Sequence, residues 1–210
     1  FNTDKQNELP FEQYFYPVIE IAQGELLTRF CSLSFHEIFS ADALNSICEV
    51  LLAELCELSQ FLLFDEFNEY RPIGYRLTSA FLSDVNNKTR TPKEQYKFFI
   101  QRMHKMPEES MLYKYPVWAR LLSTKILQWI DFYKSFIKNV LNDIKEIRLE
   151  FDINDNDVID KVYSNLSDKH NGGKSVIIIE FKSKNKIVYK PKNIEIDKCF
   201  YDFLQWTKSN

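Results

Sequence analysis

Residues 166–192 concentrate the side chains whose types and spacing suit chemistry: Asp168, His170, Gly172 and Gly173, then Tyr189, Lys190, Pro191 and Lys192. Two adjacent glycines ahead of a strand let backbone amides turn outward and approach a phosphate closely. A lysine in an apolar strand is costly unless its ammonium meets an anion. On strand alternation Lys190 shares a face with Val188 and Lys186, while Tyr189 and Ile187 take the other. A strand pair beside a glycine turn, with a lysine on the later strand, is a layout that grips nucleotides in protein kinases. Lys192 falls on the same side as Lys190 and competes for that role, but Pro191 interrupts the ladder between them, which favours Lys190.

Each of these residues also has a plain reading. Gly-Gly commonly marks a loop, and a lysine on an edge strand discourages pairing with other chains. Asp168 can cap or end a short helix, and His170 can be an exposed loop residue. Neither a Walker sequence nor G-x-G-x-x-G occurs. His36 and His104 have no partner at metal-ligand spacing. The run Asp152–Asp157 lacks the glycine and glutamate of a calcium loop. Cys31, Cys48, Cys56 and Cys199 form no C-x-x-C pair, which reads as reduced, mostly core-facing thiols in a cytoplasmic protein.

The elements that must position these residues follow from periodicity. Apolar side chains at helical spacing predict helices over 11–30 (which Pro17 can bend or restart), over 35–70 as one helix or a pair, from Thr91-Pro92, and from Tyr115-Pro116 to about residue 148. Arg71–Gly74 punctuates the second, and 84–92 reads as a polar loop. A short helix is expected over Asp157–Leu166. Ser175–Phe181 and Lys186–Lys190, joined by Ser183-Lys184-Asn185, predict a β-hairpin, and Asp197–Trp206 a last helix. The fold class is therefore α+β, mainly α: long N-terminal helices over 1–150, then a smaller unit with the hairpin over 151–210. The apolar stripes of the first part read as scaffold.

Only 4 of the 210 residues are glycine, and two of those are the adjacent pair. A content of 45% hydrophobic and 27% charged residues excludes wholesale disorder. No uncharged apolar run reaches the roughly 18 residues of a spanning helix, and the start lacks the pattern of a signal peptide. The net charge of −3 divides into −11 over residues 1–70 and +8 over 71–210. The basic part can attract phosphates or an acidic peptide, or the two parts can neutralise each other. General nucleic-acid binding is disfavoured.

The run Leu166–Val176, with Asp-x-His-x-Gly-Gly, followed by Val188-Tyr-Lys-Pro-Lys192 and Asp197…Phe200…Leu204-Gln-Trp206, resembles the dehydratase domain of class II lanthipeptide synthetases, the LanM family. Leu9–Glu12, Asp65–Phe67 and Tyr115–Leu122 are similar to further landmarks of it. The resemblance implies a lipid-kinase-like domain, here with part of its N-lobe. It would phosphorylate Ser and Thr of a ribosomally made precursor peptide with ATP and Mg2+, then eliminate phosphate to leave dehydroalanine or dehydrobutyrine. It assigns Lys190 to the ATP phosphates, Gly172 and Gly173 to the loop over them, and Asp168 and His170 to the active site. A histidine titrating near neutrality can carry a proton, and Asp168 can tune it.

The family's Asp-x-His-x-x-Asn segment, its magnesium ligands, its elimination residues and its zinc cyclase are expected after this hairpin. The chain thus reads as an N-terminal portion needing the rest of a synthetase, inactive alone, and either cytoplasmic or peripheral to membrane-bound export machinery. Two alternatives stay open: a peptide kinase without elimination, and a non-catalytic helical interaction module.

Overall fold

Ile47, Leu51, Leu55 and Leu63 recur at helical spacing and are fully buried, which fixes the inner face of the longest N-terminal helix. The computed structural model describes residues 9–28, 30, 33–70, 91–105, 109–164, 168, 172–192 and 195–209. In chain order these form α1 (Glu12–Leu27), α2 (Leu33–Ile38), α3 (Ala41–Tyr70), α4 (Pro92–Lys105), α5 (Glu109–Lys114), α6 (Pro116–Glu150), β1 (Ile159–Tyr163), β2 (Ile177–Phe181), β3 (Lys186–Tyr189) and α7 (Glu195–Ser209). The fold is α+β and mainly α. The expected punctuation at Arg71–Gly74 and most of the polar loop over 84–92 lie outside the described residues.

Helices α1, α3 and α6 share one core. Trp118 on α6 donates its indole N–H to Ser59 on α3 at 2.9 Å, and Trp129 donates to the Ile47 carbonyl at 3.2 Å. The order of these contacts runs the two helices antiparallel. Buried indoles need such partners, so the pairs set register as well as burying area. Helix α1 continues through Pro17 and buries Phe15, Ile19, Ala22 and Leu26. The 35–70 stretch is a short helix and a long one, divided where Ser40 caps α3 by accepting from the Ala43 amide at 3.1 Å, as an N-cap hydroxyl does. Helix α4 starts with a reciprocal capping box. Glu94 N–H donates to the Thr91 hydroxyl at 3.3 Å. Thr91 N–H donates in turn to the Glu94 carboxylate at 2.7 Å. Pro116 opens α6, where a missing N–H does no harm.

The sheet is antiparallel in the order β1-β2-β3. The β2–β3 hairpin forms as expected, with Lys184 in the left-handed region at its turn (φ 73°). The helix expected over Asp157–Leu166 does not form: Ile159–Tyr163 is strand β1. The reason is a bulge. Ile159 and Val162 are three apart, which reads as helical, but Ile159 pairs with Phe181 and Lys161 already pairs with Glu180. Asp160 is thus the extra residue, and both apolar side chains reach the same buried face.

That face, completed by Ile177, Ile179 and Phe181, packs on α3. Ser40 N–H donates to the Ile159 carbonyl at 2.9 Å, and Val162 N–H to the Ser46 hydroxyl at 3.0 Å. No helix among the described residues is long and apolar enough to cross a membrane.

Candidate functional site

Helix α6 is the floor on which the hairpin rests. Tyr189, on the inner side of β3, sets its ring edge-on to Phe136 at 5.1 Å and accepts a hydrogen bond from the Asn139 amide at 3.0 Å. Alternation then turns the next residue outward, and Lys190 leaves the strand exposed. An open pocket of about 310 Å³ lies here, walled by Phe132, Ser135 and Asn139 of α6 and by Lys174, Tyr189, Lys190, Pro191 and Lys192.

Three lysines therefore line one concavity. Among the described residues no carboxylate lines it, and Lys174, Lys190 and Lys192 form no ion pair. The sequence set Lys190 and Lys192 in competition, whereas the structure brings both to the same pocket. It adds Lys174, which directly follows the glycine pair.

The other hairpin lysines behave differently. Glu180 is buried on β2 and receives Lys184 at 3.0 Å, Lys186 at 3.1 Å and the Tyr163 hydroxyl at 3.1 Å. The bonds from Lys184, Lys186 and Tyr163 outweigh the cost of burial and lower its pKa to about 2, as hydrogen bonds to a charged carboxylate do. Lys186 also lies 5.5 Å from the centre of the Tyr163 ring, within reach of a cation–π contact. Lys186 is engaged by Glu180, whereas Lys190, just past the end of β3, is not.

Gly172 and Gly173 both take positive φ, 84° and 92°. A Cβ at Gly172 would meet open space, and one at Gly173 would meet Gln128 Oε1 at an ordinary 3.5 Å. Backbone conformation, rather than crowding, therefore calls for glycine here. Gly173 lines a narrow crevice of about 20 Å³ with Glu54, Lys125, Gln128, Trp129, Tyr133 and other residues. Phe132 lines both this crevice and the lysine pocket. The glycine pair itself does not line the pocket of Lys190, but Lys174, the next residue, does. Asp168 is exposed and lines neither cavity, and His170 lies outside the described residues.

Sequence reasoning missed Lys174 and the α6 wall. The available signals were a lysine abutting the glycine pair and the polar residues Ser135 and Asn139, four apart beside the apolar row of α6.

Other chemistry is not supported elsewhere among the described residues. Burial pushes the Cys48 and Cys56 thiols up to about 12, which makes them poor nucleophiles. Cys199 is exposed, and Cys31 lies outside the described residues. His104 stacks on Tyr14 and bonds its carbonyl at 3.3 Å. A second cavity, about 330 Å³ between α3, α4 and α5, has charged groups matched within itself. Lys114 pairs with Glu66 at 2.5 Å and Glu69 at 3.5 Å, and Arg102 lies over Tyr70. Burial raises the Glu66 pKa, but bonds from Lys114 and Tyr115 outweigh it and leave it lowered. Lys114 and Lys125, which meets Glu54 at 3.8 Å, also neutralise acidic N-terminal residues with basic C-terminal ones. The charge asymmetry of the sequence is thus partly resolved within the fold.

Residues 115–210 match the model of a protein family described as a domain of unknown function, DUF4135. No curated protein matches the chain. The family match takes in α6, the sheet and α7, and so contains every residue of the lysine pocket.

Proposed function

We propose that this chain carries the phosphate-gripping part of a lanthipeptide dehydratase of the LanM kind. Such an enzyme phosphorylates Ser and Thr of a precursor peptide with ATP and then eliminates phosphate. The observation that carries the reading is the pocket that Lys190 lines with Lys192 and with Lys174, the residue after the glycine pair, and in which no carboxylate appears among the described residues. The sequence resemblance through Asp168, His170, Gly172, Gly173 and Lys190 supplies the reaction class.

In this reading the peptide hydroxyl attacks the γ-phosphorus of ATP and the bond to ADP breaks. Loss of the Cα proton and of phosphate from Cβ then leaves the dehydro residue. Lys190 acts in the first step by offsetting charge on the phosphates, where a fixed cation stabilises transfer most. The donor set fits ATP, because a triphosphate asks for unspent positive charge and the pocket offers it. The proposal places no magnesium ligand on the described residues, among which no three His, Cys, Asp or Glu side chains gather. Asp168 and His170 are assigned to proton handling, on resemblance.

Titration of the chain with Mg-ATP, comparing wild type with Lys190→Ala, tests the grip. Binding that the substitution removes supports the reading, and binding that ignores it removes Lys190 from the role. For the reaction, mass spectrometry follows a Ser/Thr-rich precursor peptide incubated with a synthetase containing this chain. Loss of one water per modified residue supports dehydration. Phosphate retained on the peptide makes the protein a kinase, and no mass change overturns both.

A further inference from the structure

The lysine pocket differs from the two other cavities described above in gathering three cations with no acid among the described residues that line it. In the cavity between α3, α4 and α5, Lys114 meets both acids and Arg102 lies over Tyr70. In the crevice at Gly173, Lys125 meets Glu54. In the lysine pocket the neutral wall is partly committed. The Asn139 amide gives one N–H to Tyr189, and the Ser135 hydroxyl donates to the Asp131 carbonyl at 2.9 Å. The charged donors left for a ligand are the ammoniums of Lys174, Lys190 and Lys192, beside the second Asn139 N–H and the Tyr189 hydroxyl. Three cations in one pocket suit a chain of phosphates better than a single carboxylate.

Size narrows the ligand further. The pocket holds about 310 Å³. That is the low end for a site enclosing a whole drug-sized molecule. A pocket of this size and openness admits an oligophosphate and leaves the remainder of a nucleotide outside. We propose that Lys174 and Lys192 join Lys190 in a three-ammonium clamp for an oligophosphate, entered by the phosphate chain alone. This rests on the reading above for its nucleotide, but the clamp itself stands on the pocket. It also gives the lysine after the glycine pair a purpose, since the bend delivers Lys174 to the same concavity as the end of β3.

The test is calorimetric titration of the chain with sodium tripolyphosphate and, separately, with Mg-ATP. Wild type is compared with Lys174→Ala, Lys190→Ala, Lys192→Ala and, as a control, Lys186→Ala, whose ammonium Glu180 already holds. All four lysines are exposed, and circular dichroism verifies that each variant is folded. Expected is tripolyphosphate binding that each of the three pocket substitutions weakens by about fivefold or more, the worth of one close ion pair in water. The control should change little, and affinity should fall steeply with added salt.

If Mg-ATP binding needs Lys190 but ignores Lys174 and Lys192, the clamp is overturned and the nucleotide reading stands. If tripolyphosphate binds through all three lysines and Mg-ATP does not bind, the clamp stands and the nucleotide reading falls. Equal competition by a glutamate-rich peptide, or no binding of tripolyphosphate, overturns the clamp.

Discussion

Trp118 in the helical body and Lys190 at the hairpin edge are both long side chains with a polar tip, and their surroundings are opposite. The Trp118 indole is buried and its one donor is taken by Ser59, itself fully buried. The Lys190 ammonium is exposed at a pocket mouth beside two other lysines, with no acid lining the pocket to meet it. The same contrast runs through the two regions. Across α1, α3 and α6, the side chains of the shared core are covered and the indole donors of Trp118 and Trp129 are matched, although Phe61 and Phe64 stay exposed and Arg148 Nε is buried without a hydrogen-bond partner. At the lysine pocket, no acid among the described residues joins Lys174, Lys190 and Lys192 in the lining, and the large apolar residues of α7, among them Phe200 and Phe203, are exposed. A folded body that satisfies itself has little left for a ligand, so recognition belongs where satisfaction is incomplete.

The largest effect expected comes from breaking the matched side. Phe136 is fully buried on α6, edge-on to Phe39, Tyr133 and Tyr189, and so ties the helical core to β3. Phe136→Ala should cost about 3–5 kcal/mol of stability in urea denaturation. Fluorescence and far-UV circular dichroism should still report one shared transition. Two separate transitions would show that sheet and helices are independent, and the comparison would become one between two domains.

Next comes a single matched donor. Ser59→Ala removes the acceptor of the Trp118 N–H and leaves that group buried and unpaired, at a cost of about 1–3 kcal/mol. If the same assay shows no loss, the indole finds another partner, and the body is less tightly specified than its hydrogen bonds indicate.

How much of this could be read from the sequence follows the same division. The rows of α3 and α6 were legible because burial on one side imprints a helical period, and the caps at Thr91 and Pro116 mark helix starts. The hairpin was legible from its β-branched run and the polar turn at Ser183-Lys184-Asn185. Strand β1 was not, because the bulge at Asp160 gives Ile159 and Val162 a helical spacing while both face the sheet's core. At the site, Lys190 and the glycine pair stood out by residue type. Lys174 and the Phe132–Ser135–Asn139 wall did not, because their meeting depends on the docking of Tyr189 on α6, a contact 50 residues apart in sequence.

A smaller effect, dependent on pH, should come from the only acid that receives two hairpin lysines among the described residues. Hydrogen bonds from Lys184, Lys186 and Tyr163 hold Glu180 at about 2, below its ordinary 4.5. A depressed carboxylate pKa contributes stability above the unfolded value, and that contribution is lost as the folded carboxylate protonates. Stability should therefore fall between about pH 4.5 and 2, and Glu180→Gln should flatten that part of the profile. The effect is modest because both lysines remain largely in water. An unchanged profile in the variant would place the acid sensitivity elsewhere.

The smallest effect sharpens the comparison most, because it repeats the first substitution in the other region. Phe200 on α7 is 62% exposed, whereas Phe136 is 0% exposed. Phe200→Ala removes an equal amount of side chain but opens no cavity, and alanine is the better helix former. Denaturation of the chain should therefore shift by no more than about 0.5 kcal/mol. The two phenylalanines would then differ severalfold in cost for one chemical change, as expected if α7 contributes little to holding the body together. A loss near that of Phe136→Ala would show that this face is covered in solution, and the unmatched region would begin and end at the three lysines.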